Sequence, residues 1–155
     1  NYLTHTDFVP HNFRISEHTL FMLDCVPNYA TIHFGNKYEG WARFINYMMI
    51  YNPELERLLV EYVRNVRGED EYLSLRLMRT YKITFLLEFY SRSLDKTVGD
   101  LHALTLARIA YWREALIAVL EDRSISRDVT ERYIATRNTL RSEEEIARQK
   151  EFNLV

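Results

Sequence analysis

Residues 100–121, DLHALTLARIAYWREALIAVLE, hold neither Pro nor Gly and are apolar on nearly every face of a helix. Leu101, Leu104, Arg108, Tyr111, Ala115 and Val119 fall on one side at helical spacing. Leu106, Ile109, Leu116, Ile117 and Leu120 fall on another. A helix with that profile belongs at the centre of a fold, with other helices around it. Arg108 and Arg113 would leave it by snorkelling. The segment therefore predicts an all-α, single-domain helical bundle around a buried central helix.

The flanking sequence repeats the helical period. Trp41, Phe44, Ile45, Met48 and Met49 form one apolar face. Asn52-Pro53 then supplies an N-cap and a first helical residue. Leu55, Leu58, Leu59, Tyr62, Val63 and Val66 form a second apolar stripe, and Gly68 stands where a helix-ending glycine belongs. Glu69, Asp70 and Glu71 suit a helix N-terminus, where negative charge complements the macrodipole. That helix should run to about Ser93 and break across 95–100, which contains Gly99. Ser124 or Ser126 can cap another helix through Val129, Tyr133, Ile134 and Leu140. Ser142 with Glu145 matches a capping box for a last one. The count is about five to seven helices in residues 16–155, with little or no β structure. Trp41, Phe44, Leu58, Leu59, Leu86, Ile109, Trp112 and Leu116 are the expected core.

The N-terminal part is different. Residues 1–15, NYLTHTDFVPHNFRI, show no helical period, and Pro10 pushes Val9 toward extended backbone. Tyr2, Leu3, Phe8 and Phe13 make this segment a sticky extended arm, packing on its own domain or on a neighbour. Ser16 followed by Glu17 can cap a short helix carrying Leu20, Phe21, Met22 and Leu23, ended by Pro27. NYATIHF at 28–34 reads as a short strand or a loop, and GNKYEG at 35–40 as a turn.

Composition narrows the function classes. Only four glycines are present, and no phosphate-binding loop, dinucleotide fingerprint or nucleophile elbow occurs. The five histidines are scattered, so no metal ligand set is assigned and no cofactor is expected. Cys25 is the single cysteine, which excludes an internal disulfide and points to an intracellular, reducing compartment. There is no run of about 18 apolar residues, hence no candidate membrane-spanning helix, and no signal-peptide pattern. The chain starts at Asn1, as a processed form or a fragment would.

The charged residues carry the remaining signal. The net charge is only −2, yet charge is segregated locally. Within RLMRTYKITFLLEFYSR, residues 76–92, Arg76, Arg79, Lys82 and Arg92 oppose the single acid Glu88. On a helix, Arg76 and Lys82 lie about 120° apart with Arg79 between them, a slanting basic ridge. Two readings stay open: a solvated helix face, or a groove for phosphates or an acidic partner, with Tyr81 and Tyr90 available for stacking. The expectation is a non-catalytic assembly or interaction protein with protein partners, self-association foremost. A nucleic-acid-coating protein is the alternative, and an enzyme with a nonlocal carboxylate or histidine site the third.

Overall fold

The computed structural model describes residues 2–5, 8–22 and 32–140. The end of the helix expected from Ser16 to Pro27, the Cys25 thiol and the capping box at Ser142 lie outside them. The chain is mostly helical, the all-α class that the sequence predicts. Its described helices are α1 (Glu39–Tyr51), α2 (Pro53–Tyr62), α3 (Glu69–Ser93), α4 (Gly99–Leu120) and α5 (Arg127–Leu140). They form two compact units, residues 1–79 and 80–155, and α3 contributes to both. No described helix is long and apolar enough to cross a membrane.

The first unit opens with two small antiparallel ladders, more β structure than expected. Strand β1 (Tyr2–His5) pairs with β4 (Ile32–Gly35), placing Leu3 opposite Phe34. Strands β2 (Phe13–Ser16) and β3 (Thr19–Met22) form a hairpin in which Ser16 faces Thr19. The helix expected from Ser16 is therefore a hairpin over its described residues. Its two-residue turn holds Glu17 at φ 52, a left-handed conformation that such turns use and helices do not.

The arm is folded onto its own unit. Phe8 and Phe13 meet edge to face at 4.7 Å, and both rings lie within 6 Å of Phe44 on α1. A Cβ at Gly40 would sit 2.6 Å from the His5 carbonyl oxygen, so only glycine lets the start of α1 come this close to the arm. Tyr2 and Leu3 remain exposed.

Helices α1, α2 and α3 enclose the core of this unit: Tyr38, Ala42, Ile45, Val63, Tyr72 and Leu75. Asn52 caps α2 as expected, its Oδ1 accepting from the Leu55 N–H at 3.0 Å. Two expected core residues are corrected. Trp41 is 46% and Leu58 49% exposed, because each sits at the edge of its apolar stripe. Phe44 and Leu59 are partly buried.

A polar network runs through this apolar core. The Asn46 amide on α1 donates to the Arg79 carbonyl at 3.0 Å and accepts from Arg79 Nε at 2.9 Å. Arg79 Nη2 on α3 also meets Glu56 Oε1 on α2 at 2.6 Å. Asn46 and Arg79 are buried and Glu56 nearly so. One guanidinium thus ties three helices together.

In the second unit α4 packs on α5, and Tyr111 stacks on Tyr133 at 4.6 Å between ring centroids. Leu104, Tyr111, Trp112, Ala115, Ala118 and Val119 are buried. Leu101, Leu106, Ile117 and Leu120 are exposed, which corrects the reading of α4 as apolar-packed on all sides. One of the two sides found by spacing is the buried one. Leu86 and Trp112 are buried as expected, and Ile109 and Leu116 partly so.

The network makes a direct prediction. Glu56→Ala leaves the Arg79 charge buried without its anion and should destabilise the chain by about 3–5 kcal/mol. Urea unfolding measures it, and a loss below about 1 kcal/mol would refute the role assigned to the pair.

Candidate functional site

Three steps along α3 separate Arg76, Arg79 and Lys82, and the helix distributes them differently from a ridge. Arg79 is 6% exposed and engaged with Asn46 and Glu56. Arg76 is half-buried. Lys82 is also half-buried, with Nζ 5.4 Å from the Tyr81 ring centroid. Arg92 is exposed and pairs with Glu88 one turn back at 2.5 Å. The middle member of the basic ridge thus faces inward, while Arg76 and Lys82 are half-buried and Arg92 is exposed. Burial of the helix backbone side selects Arg79 because its partners stand on two other helices, a fact that spacing along α3 cannot reveal.

The exposed face of α3 in the second unit is aromatic. Tyr81, Phe85 and Phe89 are each more than half exposed, at 54–55%. Their four-residue spacing builds one oblique ridge on the helix surface. On a regular helix Tyr81 and Phe89 lie about 40° to either side of Phe85. Lys82 and Glu88 lie about 60° to opposite sides, each three residues away. The charges therefore flank the aromatic ridge with opposite signs in a symmetric arrangement. The sequence carries this pattern, but a search for the 3.6-residue period of buried residues passes over a row of four-residue steps.

A second cluster lies in the first unit and was not legible from spacing. Lys37 precedes α1, and its Nζ donates to both Glu71 oxygens at 2.6 and 2.5 Å. The Tyr38 hydroxyl donates to Glu71 Oε2 at 2.5 Å. Burial, reinforced by the Glu71 carboxylate, pushes the Tyr38 phenol up to about 12, and Arg67 opposes this. Hydrogen bonds from Lys37 and Tyr38 hold the Glu71 carboxyl below the usual range. The proton stays on the phenol, so this pair is a structural hydrogen bond at neutral pH.

Among the described residues no group of three or more His, Cys, Asp or Glu side chains could hold a metal ion. Comparison with family models, curated proteins and solved structures finds no match to this chain.

The cluster sets a pH dependence. Glu71 has a lowered folded pKa, so its stabilisation is present above the ordinary carboxylate range and lost as pH falls through the lowered value. Tyr38 has a raised one, so its stabilisation is present below 10 and lost as pH rises toward about 12. Thermal melts across pH should show a shallower acid limb for Glu71→Gln than for the wild type. Identical acid limbs would disprove the assignment.

Proposed function

We propose that this chain is a non-catalytic assembly protein that self-associates through the exposed face of α3. The observation carrying this reading is the ridge of Tyr81, Phe85 and Phe89, half exposed and flanked by Lys82 and Glu88. Contiguous apolar surface of this kind on a helix commonly marks an interaction site.

A second copy fits this face for a specific reason. Two identical four-residue ridges interlock at a crossing of about 50°. A twofold axis through Phe85 pairs Tyr81 of one copy with Phe89 of the other, ring against ring. The same axis brings like flanks together, setting Lys82 of one copy beside Lys82 of the other and Glu88 beside Glu88. Arg92, already paired with Glu88, offsets the second of these like-charge contacts. Each aromatic rung has roughly 100 Å² to bury. The contact is small, so the dimer should dissociate on the order of micromolar concentrations.

Sedimentation equilibrium tests the reading. Phe85→Glu should leave a monomer at tens of micromolar, with its helical circular-dichroism signal intact. Lys82→Glu alone should change association little, since it exchanges one like-charge pair for another. A mixture of wild type and Lys82→Glu should associate more tightly than either alone, because an antiparallel twofold contact sets position 82 opposite itself. A wild type that stays monomeric near millimolar concentration ends the proposal.

A further inference from the structure

A cleft of about 300 Å³ opens in the first unit beside the Lys37–Tyr38–Glu71 cluster. That volume is at the lower end for small-molecule sites. Trp41 and Tyr62, both about half exposed, line it together with Tyr38. Ile45, Leu59 and Val63 supply the rest of its apolar lining, and Lys37 and Arg67 its charge.

The backbone has been adjusted to place Arg67 there. After Tyr62, α2 widens into a π-helical turn over Val63–Arg67. In an unbroken α-helix the position one turn beyond Tyr62 and Val63 would be Val66, the residue that completes the apolar stripe in the sequence. The wider turn moves that position to Arg67. Val66 is accordingly 65% exposed, and Arg67 lines the cleft. The chain then leaves the turn through Gly68 at φ 97 and ψ 169, backbone that only glycine adopts readily. An apolar side chain has been turned out and an exposed cation placed at the rim of the cleft, against the apolar trend of the stripe. Such π-helical turns recur at functional sites.

The charge around the cleft has a definite sign. Lys37 and Arg67 both act on Glu71, so two cations and one carboxylate leave a surplus of +1. Lys37 is spent on Glu71, whereas Arg67 bonds the Tyr38 hydroxyl and, as an exposed guanidinium with five N–H donors, retains others for a ligand.

We propose that this cleft binds a small organic monoanion with a flat apolar body, an aromatic carboxylate by class. The body lies among Trp41, Tyr38 and Tyr62, and the carboxylate meets the Arg67 guanidinium. A guanidinium offers a carboxylate two parallel N–H donors, which gives both orientation and preference over neutral groups. The site is confined to the first unit and does not depend on self-association through α3.

Titration calorimetry on the full chain with 2-naphthoate tests this, with neutral 2-naphthamide and cationic 2-naphthylmethylammonium as comparisons. Saturable one-to-one binding of 2-naphthoate is expected, about tenfold tighter than the amide, the size of one charge-assisted hydrogen bond. Arg67→Gln should abolish that preference, and Arg123→Gln should leave it intact. Tyr62→Ala should weaken both ligands while keeping the preference, and circular dichroism confirms the fold of each variant. Equal affinity for the three ligands, preference for the ammonium, an unchanged preference in Arg67→Gln, or no saturable binding at millimolar ligand would each overturn the assignment.

Discussion

A single buried guanidinium organises the first unit. Arg79 reaches from α3 to the Asn46 amide on α1 and the Glu56 carboxylate on α2, and Asn46 returns a bond to the Arg79 carbonyl. Burying such a charge is unfavourable unless its donors are matched. The match exists only when all three helices hold one relative register. A shift by one residue in any of them would leave a desolvated charge, whereas the surrounding Ala42, Ile45 and Leu75 contacts would tolerate it far better. The network thus supplies specificity that an apolar interface alone would lack, and the hydrophobic contacts supply most of the stability.

The same register fixes what lies on the outer surface of α3. Tyr72, Leu75, Arg79, Ile83 and Leu86 are buried, at steps of three or four residues. That spacing is the inward face of an ordinary packed helix. Leu73, Leu77, Tyr81, Phe85 and Phe89 are exposed, at steps of four throughout. Each residue of the outer row is large and apolar, so α3 is hydrophobic on two faces and its sequence has almost no amphipathic asymmetry. A helix of this kind reads as buried all round. Here, among the described residues, only one of its faces is packed.

The legible part of the fold was the part written in local chemistry. Asn52-Pro53, Glu69-Asp70-Glu71 and Gly68 mark helix boundaries because caps, macrodipoles and left-handed backbone act on neighbouring residues. The first side of α4 was legible because its burial follows the helical period. The illegible part was what depends on residues distant in sequence. Arg79 differs from Arg76 only in having Asn46 and Glu56 opposite it, 33 and 23 positions away. Lys37 and Glu71 meet across a similar distance. The β2–β3 hairpin escaped because Ser16-Glu17 carries a helix-cap signal, and pairing with a second strand outweighs a cap when the turn accepts a positive φ at Glu17. Of the candidate basic residues, Arg79 turns inward, Arg76 and Lys82 are half-buried and Arg92 is exposed.

The π-helical turn shows how far one extra residue per turn can go. Up to Tyr62, α2 follows its apolar stripe, and the stripe would continue to Val66 in any regular helix. Widening the turn by one residue reverses the roles of Val66 and Arg67 without changing either side chain. The exposed Val66 forfeits roughly 1.5–3 kcal/mol of burial. Arg67 gains a bond to the Tyr38 hydroxyl and an attraction to Glu71, but Lys37 and Tyr38 already bind that carboxylate directly. A side chain at position 68 would find nothing within 4 Å of its Cβ. The stability of the first unit therefore gives little reason for the turn. What the turn does accomplish is to put a cation on the rim of an aromatic cleft, and a feature that is unfavourable for folding and favourable for anion capture is best explained by the second.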